Sequence, residues 1–323
     1  MIEQKINNKT HRISILIFTI LLSILLIQCK INPKTDSKIA GQIQELDWPI
    51  EIVSEGHGFT EGPTLASDGK IYFTDMDNSY ILEYNPKLDT TIIWHDQSKS
   101  ANGLRIHDNE LYACEAVGGA VVKYNLSHGP KSKGILANTF MKDSLGSPND
   151  LVIIGDNLYF SEFWLGTYLE GTRRKQEIFN SRVYKLSLTN NTLDSIPFNF
   201  KLVNGVALSP NEKYLFLTDW LSDKLYKVEI EGDDLGKIEL LTDLKRYNYG
   251  GPDGLAVNND GFIFLALYGK RDVLLVINPD GRIVGYLPTG PLTSNCVFAA
   301  DGNTLYITAN KKLMRVKVPK MKK

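Results

Sequence analysis

The most regular feature of the chain is an alternation of apolar and polar residues in short runs, the pattern of β-strands that have one buried face. Six such runs each follow a turn and are rich in aromatic or branched residues: GKIYFTD, NELYACE, DNLYFSE, KYLFLTD, GFIFLAL and NTLYITA. Each is followed by a further run with the same period: YILEYNP, AVVKYNL, RVYKLSL, KLYKVEI, DVLLVIN and KLMRVKV. None of these repeats has the period of a helix, so the pattern predicts an all-β protein built from six similar units.

A shorter strand precedes each pair of runs, and its six copies share one outline: TEGPTL, ANGLRI, PNDLVI, VNGVAL, PDGLAV and SNCVFA. In every copy a polar residue stands at the head of a strand that is otherwise mostly apolar. Five units continue with a fourth strand, whereas the sixth has none and an unmatched strand, Pro49–Glu55, precedes the first unit. The sequence therefore predicts a six-bladed β-propeller with four-stranded blades, whose last blade is closed by the N-terminal strand.

The six polar heads are the main candidates for function. In a propeller the first strand of every blade lines the central channel, so residues at one register converge on the axis. Two carboxylates and four amides supply hard oxygen ligands, which suit calcium or magnesium, whereas zinc or copper sites usually contain His or Cys. The alternative is a ring that channel waters solvate in a purely structural propeller. The heads are Glu61, Asn102, Asn149, Asn204, Asp253 and Asn295.

A second set of aligned residues lies at the ends of the second strands, on the same face of the disc as the polar heads. Acids in four blades and apolar residues in two predict a pocket with one polar wall and one apolar wall. Each acid alone is also compatible with a position facing a loop, so none is identified as catalytic. The aligned residues are Asp75, Glu115, Glu162, Asp219, Leu267 and Ala309.

The first 28 residues have the organisation of a secretory signal peptide, with a basic start followed by the apolar run Ile15–Ile27. This run is shorter than the roughly 20 residues of a transmembrane helix, although an uncleaved anchor is the competing interpretation. Cys29 resembles the acylated first residue of a bacterial lipoprotein, but small residues, which usually precede that cysteine, are missing here. We expect export and lipid anchoring through Cys29 to a bacterial envelope membrane, at the periplasmic face or the cell surface.

The rest of the chain divides into a polar tether (29–45), the propeller (46–318) and a basic tail (319–323). The whole chain has 36 Lys and Arg against 37 Asp and Glu, and therefore no basic field that would bind nucleic acid. Cys114 and Cys296 lie in strand-like apolar patterns, which favours two buried free thiols over a disulfide between them. We expect a monomer.

The longest interruption of the strand pattern, Phe163–Ser181, falls between the second and third strands of the third unit and predicts a functional lid. It contains Arg173, Arg174 and Lys175, which are positioned to meet an anionic substrate but are more typical of a solvated loop. There is no nucleophile elbow of the G-x-S-x-G kind and no Gly-rich phosphate-binding loop.

At these residues the sequence resembles the regucalcin and gluconolactonase family of calcium-dependent, lactonase-like six-bladed propellers. The resemblance spans residues 48–318, and its most specific segments are TEGPTL, SPNDLVIIGDNLYF, NGVALSPNEKYLFLTDW, PDGLAVNNDGFIF and NCVFAADGNTLYIT. It implies a hydrolase of lactones or related esters that needs one divalent cation, with calcium as the first choice and magnesium, manganese or zinc as alternatives. A surface-anchored propeller that binds a ligand or partner without turnover is the competing function.

Matched position by position, the resemblance implies that Glu61, Asn149, Asn204 and Asp253 bind the metal. It also makes Asp253 the candidate catalytic residue, either as a base or as a nucleophile.

Substrate binding falls on Asn102, Asn149 and Glu162 in the same comparison. The loop that Glu162 opens departs from the family, where Asp-Pro is usual and this chain has Glu-Phe-Trp. This departure affects the identity of the substrate more than the binding of the metal.

Overall fold

The computed structural model describes residues 43–163, 181–247, 250–269 and 271–321, and strands dominate all four ranges. The signal peptide, Cys29 and the basic loop residues Arg173, Arg174 and Lys175 lie outside the described residues. Within these ranges, no helix combines the length and the apolar character that crossing a bilayer would demand. The helical content described consists of two single 3-10 turns, at Pro130–Ser132 and Lys245–Tyr247.

The first half of the propeller follows the predicted order, with each blade running from the channel outward. The chain enters through β1 (Ile50–Glu55) and forms blade 1 from β2 (Thr60–Leu65), β3 (Ile71–Asp75), β4 (Tyr80–Asn85) and β5 (Thr90–His95). Blade 2 consists of β6 (Ala101–His107), β7 (Glu110–Glu115), β8 (Ala120–Asn125) and β9 (Gly134–Ala137). A small hairpin that the sequence pattern did not predict, β10 (Thr139–Phe140) and β11 (Asp143–Ser144), leads to blade 3, which consists of β12 (Pro148–Ile154), β13 (Asn157–Glu162), β14 (Arg182–Ser187) and β15 (Leu193–Ile196).

The second half repeats the arrangement. Blade 4 consists of β16 (Val203–Leu208), β17 (Tyr214–Asp219), β18 (Lys224–Glu231) and β19 (Asp234–Asp243). Blade 5 consists of β20 (Gly250–Val257), β21 (Ile263–Gly269), β22 (Val273–Ile277) and β23 (Ile283–Pro288). Blade 6 consists of β24 (Thr293–Phe298), β25 (Thr304–Ala309) and β26 (Lys312–Lys317), with β1 as its outermost strand.

The pairing of β1 with β26 confirms the predicted closure of the ring. The two strands are antiparallel, with Ile50 opposite Val316. The Arg315 guanidinium donates two hydrogen bonds to Glu51, at 2.9 and 2.7 Å. The fold is therefore a six-bladed β-propeller in which the N-terminal strand supplies the missing edge of the last blade.

Residues just before β1 also contact the propeller. Gln44 and Leu46 exchange backbone hydrogen bonds with Tyr286 of β23, at 3.0 and 2.8 Å. Leu46 and Trp48 pack against the apolar core of the last two blades. Ile43, the first described residue, already packs against the propeller, inside the segment predicted to be a tether.

Apolar packing occurs mainly between blades, because both faces of each sheet are buried. In β7, for example, Leu111 and Ala113 pack toward blade 1, whereas Tyr112 and Cys114 pack toward blade 3. Six such cores join the six pairs of neighbouring blades within the described residues. Cys114 and Cys296 are buried free thiols in two different cores, as the sequence pattern favoured.

Candidate active site

The structure brings the six polar heads together at one end of the channel. The first strands contact one another in ring order, from β2 through β6, β12, β16, β20 and β24 back to β2. Each head is buried, with between 3% and 6% of its surface exposed. They form a polar ring: Glu61, Asn102, Asn149, Asn204, Asp253 and Asn295.

A β-bulge places the ring residues in most blades. In blade 4, Val203 pairs with Asp219 and Val206 with Leu217, so two residues of β16 stand opposite the single residue Thr218. The same shift occurs at the ring residues of blades 2, 3 and 5. In blade 1 the shift follows Glu61, which pairs with Thr74, and in blade 6 it precedes Asn295, which pairs with Thr308. Bulges re-orient side chains next to active sites, and in four of the six blades the ring residue lies within the bulge.

The residue after each ring residue lets neighbouring blades approach closely. A Cβ at Gly205 would overlap the backbone carbonyl oxygen of Asp253, and one at Gly62 would overlap the carbonyl oxygen of Asn102. At Gly254 a Cβ would overlap the side chain of Asn295. Glycine is needed at these positions because the backbone of one blade lies against the ring residue of the next.

Hydroxyl groups of the second strands fix the ring residues of the next blade. Thr74 donates to the carbonyl oxygen of Asn102 and Thr218 to that of Asp253, each at 3.1 Å. Ser161 donates to the carbonyl oxygen of Asn204. The ring is thus held by hydrogen bonds between blades as well as by apolar packing.

Asp150 is a buried ring neighbour that the sequence reasoning missed. It occupies the position that glycine takes in blades 1, 2, 4 and 5, and it is 7% exposed. Its carboxylate accepts the N–H of Leu151 at 2.8 Å and that of Val206 at 3.1 Å. The signal was present in the six aligned heads, where PNDL departs from the glycine pattern.

Burial and mutual repulsion raise the pKa values of three carboxyl groups. Burial raises the pKa of Glu61 to about 8, opposed by the Gly62 N–H and increased by the charge of Asp150. Burial raises the pKa of Asp150 to about 6. The pKa of Asp253 lies well above its ordinary value, first because of burial and then because of the charges of Glu61 and Asp150. Such a site favours a bound cation, since ionised carboxylates are unfavourable in a desolvated cluster.

The asparagine side chains of the ring differ in their hydrogen-bond partners. The amide of Asn295 donates to Glu61 Oε2 at 3.3 Å, and Asn204 hydrogen-bonds to Asp253. The Oδ1 atom of Asn102, in contrast, is buried without a hydrogen-bond partner in the described part of the chain. A buried acceptor of this kind is costly unless something satisfies it.

These observations fit a divalent cation held by oxygen ligands. Within the four described ranges, His, Cys, Asp and Glu side chains alone form no metal-binding group of three or more, so asparagine amides are needed to complete a site. Arg105 on β6 adds a positive charge that faces Asp150, and desolvation lowers its pKa. A dication together with Arg105 would balance the three carboxylates. The donor chemistry corresponds to calcium or magnesium.

Two of the acids at the ends of the second strands hold loops that lead into the ring. Asp75 accepts the N–H of Gly58 at 2.9 Å, just before the first strand of blade 1. Asp219 accepts the N–H groups of Lys201 and Leu202 at 3.0 and 2.9 Å, just before the first strand of blade 4. Asp75 and Asp219 therefore face loops, which is the alternative that the sequence left open for these acids.

Glu162 and Glu115 have similar partners. Glu162 accepts hydrogen bonds from the N–H of Gly146 and from the hydroxyl of Tyr184, the latter at 2.9 Å. Glu115 forms an ion pair with Lys133 at 2.5 Å. Glu162, a candidate for substrate binding, therefore holds the loop before β12 through its hydrogen bond from Gly146.

A seventh apolar cluster lies on the face of the disc where the ring opens. It is separate from the six cores between blades, and its members stand at strand ends or in the loops of that face. We call it the mouth cluster: Phe163, Leu202, Trp220 and Tyr268, with the half-buried Phe59, Leu221 and Leu292 packed against them.

Comparison with known protein families identifies a match over the propeller, including all six ring residues. The model of the SMP-30/Gluconolactonase/LRE-like region matches residues 59–311. The chain belongs to this family. The chain is similar to a gluconolactonase of Zymomonas mobilis, 24% identical over 89% of this chain and 85% of the relative. Lactonase drp35 of Staphylococcus aureus is 25% identical over 74% of this chain and 72% of the relative.

Solved structures of family members have the same fold. A gluconolactonase of Xanthomonas campestris, XC5397, superposes with a TM-score of 0.74 at 20% identity, over 88% of this chain and 93% of that one. A calcium-binding regucalcin of Agrobacterium tumefaciens gives 0.70 at 17% identity, over 84% and 96%. The predicted family and fold are confirmed.

Proposed function

We propose that this protein is a divalent-metal-dependent hydrolase of lactones or related esters. The observation that carries the proposal is the polar ring, in which buried Glu61 and Asp253 stand with asparagine amides, one of them with an unsatisfied oxygen. Membership of a family that includes enzymes named gluconolactonase and lactonase supports the same reaction class.

The metal would be held by Glu61, Asn149, Asn204 and Asp253, with calcium as the first candidate. Once bound, a divalent cation supplies a Lewis acid that polarises a lactone carbonyl. Asn102 would contribute its unpartnered Oδ1 on the substrate side. Asp150 and Arg105 adjust the charge of the ring and have no assigned contact with substrate.

Asp253 is the residue proposed to act on the lactone. As a base, its carboxylate takes a proton from water while the water oxygen attacks the carbonyl carbon. The ring C–O bond then breaks, and its oxygen takes up a proton to give the hydroxy acid. As a nucleophile, the carboxylate itself attacks the carbonyl carbon, the ring C–O bond breaks as its oxygen takes up a proton, and water hydrolyses the resulting anhydride. Label found in the Asp253 carboxylate after a single turnover in ¹⁸O-water would establish the second route, because only water attack on the aspartyl carbon of the anhydride places it there.

The central test compares Asp253→Asn with the matched variant Asp260→Asn. Both changes remove one negative charge from blade 5, but Asp260 lies in the turn at the opposite end of the first two strands. We expect the wild type to lose hydrolysis in EDTA and recover it with calcium, Asp253→Asn to be inactive, and Asp260→Asn to be unaffected. A fully active Asp253→Asn would refute the assigned residue. Inertness toward every lactone and aryl ester with calcium, magnesium, manganese or zinc would instead favour a binding protein without turnover.

Export is proposed separately, on the basis of the apolar run before Cys29. The mature protein would begin at Cys29, carry lipid there, and act as a monomer at the membrane surface. Cys29→Ala should release the protein into the soluble fraction or block its processing. Wild-type protein found wholly in the soluble fraction, with no lipid on Cys29 by mass spectrometry, would contradict the proposal.

A further inference from the structure

The mouth cluster is not needed to join the blades, because each pair of neighbours already has its own core. Its residues come from the ring-side ends or loops of blades 1, 3, 4, 5 and 6. None comes from blade 2, where the polar Lys99, Ser100 and Asn102 lie on that side together with Ala116 and Val117, the latter 42% exposed. The other five blades therefore form the apolar side of the entrance.

Aromatic contacts make the apolar side rigid. Phe59 and Tyr268 meet edge to face with ring centroids 5.9 Å apart, and Phe163 and Trp220 do so at the same distance. The Trp220 indole also lies so close to Gly251 that a Cβ there would overlap its Nε1 atom. A wall packed in this way is preorganised, so binding against it requires little further ordering.

Tyr268 connects the wall with the polar ring. Its side chain belongs to the mouth cluster and is 7% exposed, and its phenol lies within the electrostatic influence of Asp253 and Glu61. An apolar group seated on the mouth cluster would thus lie beside a carbonyl held at the ring.

On the basis of the hydrolase function above, we propose that the substrate is a lactone with an apolar alkyl or aromatic substituent, not a polyhydroxylated sugar lactone. The surface available for such contact lies on the half-buried Phe59, Leu221 and Leu292, because the other four members are at most 9% exposed. Apolar surface placed against it gains free energy in proportion to the area buried. Sugar hydroxyls on the same wall would lose their water partners. Among the described residues, the side chains of the cluster offer them only the phenol of Tyr268 and the indole N–H of Trp220.

The test is a series of δ-lactones assayed with the calcium-loaded protein: δ-valerolactone, δ-octalactone, δ-decalactone and D-glucono-δ-lactone. We expect kcat/KM to rise about threefold for each methylene of the side chain. We expect the gluconolactone to be the poorest substrate. A matched series of δ-lactams, which keep ring and chain but resist hydrolysis, should raise the melting temperature in the same order.

Leu221→Asn tests the wall directly, since Leu221 is half-buried and asparagine has nearly its shape. The ratio of kcat/KM for δ-decalactone to that for δ-valerolactone should fall about tenfold, mainly through KM. Leu221→Met should retain the ratio. The control is Leu88→Asn, the same change at a residue 70% exposed in the turn between β4 and β5, on the opposite face.

The outcomes separate the inference from the function on which it rests. Preference for the gluconolactone, or a flat dependence on chain length, would overturn the inference and leave the lactonase function intact. An equal loss for both lactones in Leu221→Asn would reduce Leu221 to a structural role and also overturn it. If no lactone is hydrolysed with any metal, the proposed function fails and the inference fails with it.

Discussion

Blades 3 and 4 place the same residue type, asparagine, in the polar ring and differ in the residue that follows it. In blade 4 this residue is Gly205, whose backbone lies against the carbonyl of Asp253 in blade 5. In blade 3 it is Asp150, whose carboxylate accepts the N–H of Val206 in blade 4 at 3.1 Å. One junction is made by direct backbone contact and the other through a carboxylate.

The hydrogen bonds around this position are alike in the two blades. Ser161 and Thr218 both donate to the carbonyl of the next ring residue, and Glu162 and Asp219 both hold the preceding loop. The two blades thus share one scaffold at the ring, while Asp150 adds charge to one side of it. Function in a repeat protein is found where the repeat is broken.

The largest effect is expected when the blade 3 residue is copied into blade 4. In Gly205→Asp the new Cβ would overlap the Asp253 carbonyl and approach the Cα of Gly254 to 2.9 Å. We expect unfolding free energy to fall by about 3–5 kcal/mol, measured by urea denaturation. The control is Gly134→Asp in β9, where a Cβ would meet only a lysine methylene at 3.8 Å. Equal stability of the two variants would refute the close-approach argument.

The second effect concerns pH. In the metal-free protein the pKa of Glu61 is raised to about 8 and that of Asp150 to about 6. The folded state therefore holds more protons than the unfolded state between about pH 4.5 and 8, so stability decreases as pH rises through this window. We expect a loss on the order of 2–4 kcal/mol from pH 5 to 8 in EDTA.

This pH effect has its own controls. Saturating calcium should remove most of the decrease, because it stabilises the ionised carboxylates. Asp150→Gly, which gives blade 3 the blade 4 residue, should make the decrease shallower. Stability that is flat or rises over this range in EDTA would contradict the described burial of the three carboxyl groups.

A smaller effect is expected from Asp150→Asn, which keeps the shape of the residue and removes its charge. Calcium affinity should fall about tenfold by calorimetry, since affinity at oxygen sites depends on the charge near the ion. The control is Asp156→Asn, in the exposed turn between β12 and β13 of the same blade. Unchanged calcium affinity would show that Asp150 acts only on structure.

The smallest effect compares the two hydroxyl contacts. Thr218→Val removes hydrogen bonds to the Gly205 N–H at 2.7 Å and to the Asp253 carbonyl at 3.1 Å. Ser161→Ala removes the equivalent contacts in blade 3. Each should lose about 1 kcal/mol of stability, but only Thr218→Val should lower kcat appreciably, by about threefold. An unchanged kcat in Thr218→Val would mean that placement of Asp253 does not depend on Thr218.

Local sequence pattern was enough to predict the architecture and the polar ring. Alternation marks strands, and six copies of one outline at regular intervals determine which residues share a register. The closure by β1 followed from counting strands, because the last unit lacked one. The N-terminal boundary of the propeller was less exact, because residues 43–48 contact β23 without the alternation of apolar and polar residues that marks a strand.

Other features of the site depend on relations between blades, which one strand does not display. The bulges appear only when first and second strands are paired. The mouth cluster combines seven residues from five blades, so no local periodicity in the sequence predicts it. The role of Glu162 was left open between pocket and loop because its partners, Gly146 and Tyr184, are distant in sequence. Asp150 could have been found, since its departure from glycine is visible in the aligned copies.

The closure of the ring by β1 has a consequence for the order of events in folding. Glu51 and Arg315, which meet across the seam, are 264 residues apart, so this contact forms against the largest loss of chain entropy. The polar ring itself crosses the seam, where Asn295 of blade 6 bonds to Glu61 of blade 1. A chain still being synthesised has five complete blades at most and an incomplete ring. The candidate active site can therefore form only after blade 6 has been synthesised and paired with β1.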